Sequence, residues 1–356
     1  MKILYLGDDN PHCTSFHRAQ ALRRLGHDVT HFNPRGALPP SRLVGGISTR
    51  VGLWPFTPWI NAALRRKIGE TSFDLAWIDC GADLSPGFHA WLRARGTRIV
   101  NYNVDDPFGT RDGRKWDLYL RSVRHHDLTV VVRSENVAEA GVAGARKPLR
   151  VFRSYDPVEH APVRSTEEEC RRWASEVVFV GSWMPERGPL MQRLLELGVP
   201  LTIRGDHWQH APERERLRPA IRGEAVYGPN YVKAIQGAKI ALGLLSRGNR
   251  DLHTQRSVEV PFIGGAVFCA ERTREHEQLY RDGEEAAFWS SPEECAAKCR
   301  VLLADEPLRL HMAAAARQRV LAWGLDNDGV MAAALRVLDG QPAGHPLMHD
   351  TRPLSA

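Results

Sequence analysis

The chain has 356 residues, 43% of them hydrophobic and 25% charged, which is too long for one ordinary domain and apolar enough to bury two cores. Its 48 Lys and Arg against 42 Asp and Glu leave a formal charge of +6, which suits an anionic ligand, an anionic membrane surface or nucleic acid without choosing among them. No run of 18 or more apolar residues occurs and Met1 leads straight into a strand, so neither a membrane span nor a signal peptide is expected.

A reducing cytoplasm is the expected home, with the inner face of the membrane as a docking place. Cys13, Cys80, Cys170, Cys269, Cys295 and Cys299 contain no C-x-x-C pair, so neither a disulfide framework nor a zinc site is expected. Cys295 and Cys299 share a helix face, but two ligands do not make a site.

In chain order, strands are predicted near 2–6, 28–32, 74–79, 98–103, 127–132 and 149–152. Helices fall between them, the clearest being Ser15 to Leu25, Ser85 to Arg95 and Ser134 to Gly141. Pro34 to Pro58, with five prolines and Trp54, reads as a long loop over the sheet. After Phe152 the alternation pauses through Asp156-Pro157, Pro162 and Glu167 to Glu169, which marks a linker. A second series of strands follows at 177–180, 201–204, 224–227, 239–245, 266–269 and 286–289. From Pro292 to Leu338 the chain is helical, broken at Gly324 and capped again by Asp326-Asn327-Asp328. The boundaries expected are 1–160 for a first domain, 161–176 for the linker, 177–325 for a second domain, 326–339 for a helix returning to the first, and 340–356 for a loose tail. Alternating strands and helices imply α/β domains with parallel sheets.

The stretch from Arg247 to Phe268 carries the most chemistry. The apolar run Ile240 to Leu245 suits a buried parallel strand whose carboxyl end delivers Ser246 to Asp251 to the face where open sheets bind ligands. A helix from about His253 to Phe262 would aim its N-terminal amides there, which favours a diphosphate. Asp251 and Glu259, eight residues apart, can accept hydrogen bonds from ribose or sugar hydroxyls. Gly264-Gly265 closes the helix. An ordinary strand, capped helix and turn with exposed charges is the alternative.

Phe179-Val-Gly181-Ser182 with Arg187 following, Gly205-Asp206-x-Trp208, Tyr227, Tyr231, Ser246, Asp251, Arg256, Glu259 and Gly264-Gly265 form a series across the second half. In these residues the segment from about Val177 to Val337 resembles the C-terminal domain of the spore-maturation CgeB-like group of glycosyltransferases. The first half resembles the group loosely, in its opening strand, Gly26-His27-Asp28-Val29 and the Asp105-Asp106-Pro107-Phe108 turn. The resemblance implies a GT-B fold, two doubly wound Rossmann-like domains facing a cleft with C-terminal helices crossing back. It implies an acceptor-binding first domain and a second domain that binds a nucleotide-diphosphate sugar, with no cofactor and no metal. Retaining members of that fold carry an E-x7-E signature, which reads D-x7-E here. Glu259 is similar to its second acid, which would hold the donor ribose, and Asp251 stands where the sugar-contacting acid would be. Inverting or retaining outcome is left open.

Glycosyl transfer leaves charge on the departing diphosphate, which positive side chains and a helix N-terminus can neutralise. Arg187 is the first choice, because a guanidinium grips two phosphate oxygens at once. Arg247, Arg250 and Arg256 are further choices, and a solvated surface arginine is the alternative for each. Gly181, Ser182, Gly205 and Asp206 would sit at the rim of the donor pocket. Trp208 or Tyr227 would stack on the base, or belong to the core. A general base would come from Asp105 or Asp106 ahead of Asp8, with His12, Ser15 and Arg18 lining the acceptor loop. Asp105-Asp106-Pro107 also reads as a plain turn, and Ser15 as a helix cap.

The expected partners are the donor and a glycan, lipid-linked, protein or small-molecule acceptor. Trp54 and Trp59 suit contact with an anionic membrane, and no nucleic acid is expected. Asp8, Asp9 and Asp79 match a receiver domain's acidic pocket in type, but no lysine follows the fifth strand. A solute-binding protein would carry an export signal, and no G-x-G-x-x-G or P-loop pattern is present. A sugar-nucleotide epimerase on the same scaffold and a catalytically inactive nucleotide-sugar sensor are the competing functions.

Overall fold

The computed structural model describes residues 1–38, 54–223 and 225–348. The chain divides into two compact units, one of Met1–Phe152, Gly248–Arg250 and Asn327–Ala356, the other of Arg153–Arg247 and Asp251–Asp326.

The first unit holds β1 (Lys2–Leu6), β2 (Asp28–Phe32), β3 (Leu75–Asp79), β4 (Arg98–Asn103), β5 (Leu128–Val131) and β6 (Pro148–Arg150), all paired in parallel in the order β2-β1-β3-β4-β5-β6. Successive side chains of a strand point to opposite faces. Ile3 and Tyr5 accordingly enter a core with Ala19, Leu22, Val330 and Leu335, while Leu4 and Leu6 enter another with Ile60, Leu64, Phe88 and Leu92. Helices therefore cover both faces, which is why these strands read as continuous apolar runs. The chain passes from β1 out to β2 and returns to β3 on the other side, so the topological switch point lies at the carboxyl ends of β1 and β3.

The second unit holds β7 (Ser175–Val180), β8 (Leu201–Arg204), β9 (Ala238–Gly243), β10 (Val267–Glu271) and β11 (Ala287–Trp289) in the parallel order β11-β10-β9-β7-β8. Its switch point falls between β7 and β9. The strand expected near 224–227 does not form: residue 224 lies outside the described residues, and Ala225 to Tyr227 run without strand pairing into the helix Gly228–Gln236. Ile221 instead bridges Ile203 at the edge of the sheet. The expected linker is part of this unit, because Thr166 and Glu169 close a capping box that starts the helix Glu167–Trp173.

Gly324, at φ 62°, ends the helix Glu306–Trp323 as expected. The helix Asn327–Leu338 belongs to the first unit, with Val330, Met331, Ala334 and Val337 in its core and Arg24 paired to Asp328. The tail is not loose as far as it is described. Ala343 and Met348 are buried in the same core, and Arg336 donates to the Ala343 carbonyl. Residues 349–356 lie outside the described residues, as do 39–53 of the expected long loop. No helix among the described residues is long and apolar enough to cross a membrane.

Candidate functional site

Beside the switch point of the second unit, two glycines let the ends of β7 and β8 come together. A Cβ on Gly205 would lie 2.0 Å from the Gly181 carbonyl oxygen, and one on Gly181 would lie 2.7 Å from the Phe179 ring. Asp206 O accepts from Trp183 N at 2.9 Å, which holds the two turns in register. Asp206 Oδ1 accepts from Ala225 N and Oδ2 from the Tyr227 hydroxyl at 3.2 Å. Tyr227 stays 53% exposed and offers an aromatic face. Trp208 does not: it is buried against Phe179 and donates its indole N–H to Gly181 O at 2.9 Å. Its expected stacking place is thus taken by the core, since a large aromatic that can bond its N–H is stable there.

Arg187 opens the helix Arg187–Glu196 and turns its guanidinium back across the ends of β7 and β9. Nη1 donates to Ser182 O at 2.9 Å, and Nη2 reaches Leu244 O and Leu245 O at 3.4 and 3.3 Å, while Nε has no partner. Burial pushes its pKa below the usual arginine value, with Glu186 opposing and Arg256 adding to the shift. Among the described residues, no carboxylate lies within ion-pair distance of it. A cavity of about 410 Å³ opens beside it, lined also by Glu186, Leu244, Leu245, Arg247 and Glu271. A buried cation that hydrogen-bonds only carbonyls, with Glu186 acting at longer range, is costly, and an arriving anion lowers that cost.

Glu259, in the helix Arg256–Ile263, sits in a closed cage. Oε2 accepts from the Tyr231 hydroxyl at 2.8 Å and from Arg256 Nη1 at 2.5 Å, and Oε1 lies 3.4 Å from His160 Nε2. Arg256 also stacks on the Tyr231 ring at 4.4 Å and donates to Val180 O at 3.1 Å. Burial alone would raise the Glu259 pKa, but His160, Arg256 and Tyr231 together hold it below the usual carboxylate value. Glu259 is therefore an ionised, enclosed group that braces β7. The two acids take different local partners: Asp251 lies 3.6 Å from Arg153 Nη2, and its backbone N–H donates to Ser246 O. The helix begins at Arg256 rather than His253. His253 is buried with Nδ1 on Glu275 Oε2 and Nε2 accepting from Arg153 N, which holds the preceding turn out of the helix. Gly264, at φ 74°, ends that helix under the Arg317 side chain, which bonds Phe262 O, so its place is a turn rather than a ligand contact. At the other end of that helix, Gln255 ties the turn before Arg256 to Ser154 O.

In the first unit, Asp106 is not placed as a base. It is buried, Oδ1 accepts from Gly109 N, Asn136 Nδ2 and Arg250 Nη2, and Oδ2 accepts from Arg250 Nε at 2.6 Å. Burial raises its pKa, but the bonds from Arg250 and Asn136 prevail and hold it low. Arg250 also pairs with Glu139 at 2.8 Å. This residue, expected on a phosphate, instead clasps the Gly248–Arg250 segment to the first unit. Asp106→Ala should cost about 3 kcal/mol, because it takes the acceptor from four N–H donors at once. Arg250→Ala should cost about half of that, the guanidinium being 39% exposed. A double-mutant cycle in urea checks the clasp, and additive losses would mean the contact is inert.

Asp105 remains partly open, 3.8 Å from Lys115 Nζ, and its N–H is capped by Asn103 Oδ1. Arg18 is not free to line an acceptor loop: it grips Asp79 through Nε at 2.6 Å and Nη2 at 3.0 Å, both groups buried. The Tyr5 hydroxyl lies 2.8 Å from Asp79 Oδ2 and from Ser15 O, so Ser15 packs inward, and Cys13 rather than Ser15 caps the helix Thr14–Arg24. Asp8 and His12 are exposed, in a turn closed by Asp8 Oδ1 on Asn10 N and Asn10 Oδ1 on His12 N. A cavity of about 200 Å³ at the switch point is lined by Asp8, Ser15, Asn33, Arg35, Asp79 and Asp83.

His160 and Arg153 were not singled out from the sequence. Their partners lie about 100 residues away, and no local pattern announces such a contact.

Residues 187–325 match a family model described as glycosyl transferase-like. A search of curated proteins gave no match. Among solved structures, sucrose-phosphate synthase from Thermosynechococcus elongatus is similar at TM-score 0.70 and 12% identity, covering 96% of this chain and 100% of that one. HepE of Anabaena, solved with UDP and glucose, is similar at TM-score 0.64 and 12% identity, covering 95% of this chain and 100% of its own. A protein assigned as a UDP-N-acetylglucosamine 2-epimerase from Listeria monocytogenes is similar at TM-score 0.60 and 10% identity, covering 97% and 98%. The fold is the GT-B class of α/β structure expected from the sequence, with two parallel sheets flanked by helices.

Proposed function

We propose that the chain is a glycosyltransferase of the CgeB-like group, moving a sugar from a nucleotide-diphosphate donor bound by the second unit to an acceptor bound by the first. One observation carries this reading: the buried Arg187, without a carboxylate partner among the described residues, at the carboxyl ends of β7 and β9. The segment that matches the glycosyl transferase-like model starts at this residue, and HepE, of similar fold, was solved with UDP-glucose. In the mechanism, Arg187 would take the leaving diphosphate through Nε, and Tyr227 would offer its ring to the base. Positive side chains then do the neutralising that a metal would otherwise do. Asp106 is withdrawn as a base because its oxygens are occupied, and Asp105 takes the place for an inverting reaction. The Arg256–Glu259–Tyr231 cage would keep the donor pocket's floor rigid, so that its effect on the ribose is indirect. Trp54 and Trp59, 47% and 67% exposed and close in sequence to Arg65, Arg66 and Lys67, support contact with an anionic membrane on the cytoplasmic side.

The test is thermal unfolding with UDP, GDP and dTDP, followed by hydrolysis of nucleotide sugars bearing the base that binds. A nucleotide at 100 times its dissociation constant should stabilise by about 2.7 kcal/mol. If none shifts the transition, the donor reading fails. Binding without hydrolysis or transfer to any acceptor would favour the inactive sensor, and interconversion of the free nucleotide sugar would favour the epimerase.

A further inference from the structure

Three cysteines that lie far apart in the sequence meet in the core of the second unit. Cys269 is on β10, Cys295 and Cys299 are one turn apart on the helix Pro292–Ala304, and their Sγ atoms lie within 4.8 Å of one another. All three are free thiols and fully enclosed. Their surroundings are apolar, with Val267, Ala296, Leu302 and Met312 in the same cluster. Among the described residues no further His, Cys, Asp or Glu joins the group.

We propose that Cys269, Cys295 and Cys299 form a three-coordinate site for a thiophilic trivalent metalloid of the arsenite class. The spacing is close to what such a centre needs. Trivalent arsenic keeps a lone pair and is pyramidal, so bonds of about 2.3 Å to three sulfurs place them about 3.4 Å apart, and from separations of up to 4.8 Å a closing of about 1.4 Å at most completes the site. A disulfide would use two of the thiols and draw them to about 2.05 Å, leaving the third idle. Zinc prefers a fourth ligand, and the enclosure leaves no room in the chemistry for one from solvent or from a neighbouring side chain.

Charge decides among three-coordinate candidates. Three thiolates on copper(I) leave two negative charges in an apolar core, and three on a divalent ion leave one, each with a penalty of several kcal/mol. Arsenous acid instead condenses with three thiols. Each S–H proton leaves with one arsenic-bound hydroxyl as water, three As–S bonds replace three As–O bonds, and arsenic stays trivalent. The product is neutral, so the burial that disfavours a thiolate cluster does not oppose it. The enclosure also implies that the native protein loads slowly and that protein refolding with arsenite loads fast, since opening of the core must precede entry.

The experiment uses the full chain, refolded under reducing conditions with arsenite and then desalted. Retention of one arsenic per chain is expected in the wild type and in the triple variant Cys13→Ser, Cys80→Ser, Cys170→Ser. Cys269→Ala and Cys295→Ala should retain less than a tenth of that, with near-ultraviolet circular dichroism confirming that each is folded. X-ray absorption of the loaded wild type should show arsenic with three sulfur neighbours and no oxygen, a readout that needs no variant. Copper(I) supplied anaerobically should not be retained after desalting. Equal arsenic in Cys269→Ala, loss of arsenic in the triple variant, an As–O shell, or retention of copper(I) in preference to arsenite would each overturn the assignment. No arsenic at all would mean that the three thiols serve only as small apolar side chains.

Discussion

Replacing Arg187 with alanine is expected to lower turnover of the nucleotide-sugar donor by about 10²–10³-fold, the usual loss when one charge-stabilising donor is taken from a reacting centre. The guanidinium is buried, spans the ends of β7 and β9, and keeps Nε unbonded. A group that meets the diphosphate as charge develops lowers kcat when lost, while one that binds the ground state raises KM. The fall should therefore appear mainly in kcat. Stability should change by less than about 2 kcal/mol. The carbonyls of Ser182, Leu244 and Leu245 lose their donor, but a desolvated cation with no carboxylate partner among the described residues is removed with it. Arg187→Lys keeps the charge and loses the planar fork, so it should fall between the two. Steady-state kinetics together with calorimetric titration of the nucleoside diphosphate decide the matter. If the alanine variant binds and turns over like the wild type yet melts earlier, Arg187 is a brace between strand ends and the donor site lies elsewhere.

The second large effect concerns Glu259→Gln, which should destabilise the second unit by about 3 kcal/mol. The neutral amide cannot balance Arg256, and one partner removed from a buried ion pair leaves the other uncompensated. The figure sits at the lower end for such losses because Arg256 is 29% exposed. The pH dependence has a definite sign. Burial raises the Glu259 pKa, but His160 and Arg256 outweigh it, so the folded value lies below the ordinary 4.5. A group depressed on folding contributes its stability above the unfolded value and loses it as pH falls through the folded one. The gap between wild type and Glu259→Gln should thus be constant above about pH 5.5 and close in acid, since a protonated Glu259 resembles the amide. Denaturant titrations from pH 3 to pH 7 measure it. A gap that widened in acid would mean that the carboxyl is neutral in the native state. Donor affinity should fall along with stability, because Arg256 then loses the partner that fixes it against Val180 O.

Most of the fold was legible in the sequence, and for a physical reason. Strands covered by helices on both faces must be apolar along their length, so β1, β3, β7 and β9 stand out without knowledge of any contact. The break at Gly324 and the stop at Gly264 were legible because each requires positive φ, which glycine adopts without cost. The segment expected to pair near 224–227 misled because Ala-Val-Tyr has strand character whether or not an edge is free to take it. Glu167 to Glu169 read as a linker because a charged triplet and a helix's acidic first turn look alike until the cap is seen.

The site was legible only as a set of places. Sequence alone placed the candidate polar residues after β7 and β9, because buried apolar runs and the polar residues that end them are local properties of the chain. It also marked Arg187, Asp206, Tyr227 and Glu259 as residues standing there. Tertiary structure decided what each one touches. It sent Trp208 into the core, closed Glu259 inside His160, Arg256 and Tyr231, bound Asp106 to Arg250, and locked Arg18 onto Asp79. The same packing gathered Cys269, Cys295 and Cys299 from a strand and a helix. Arg256 meets Glu259 within one helical turn, but Arg18 and Asp79, His160 and Glu259, and Asp106 and Arg250 come together from 61 to 144 residues apart, and no local pattern of residues encodes a distance of that kind.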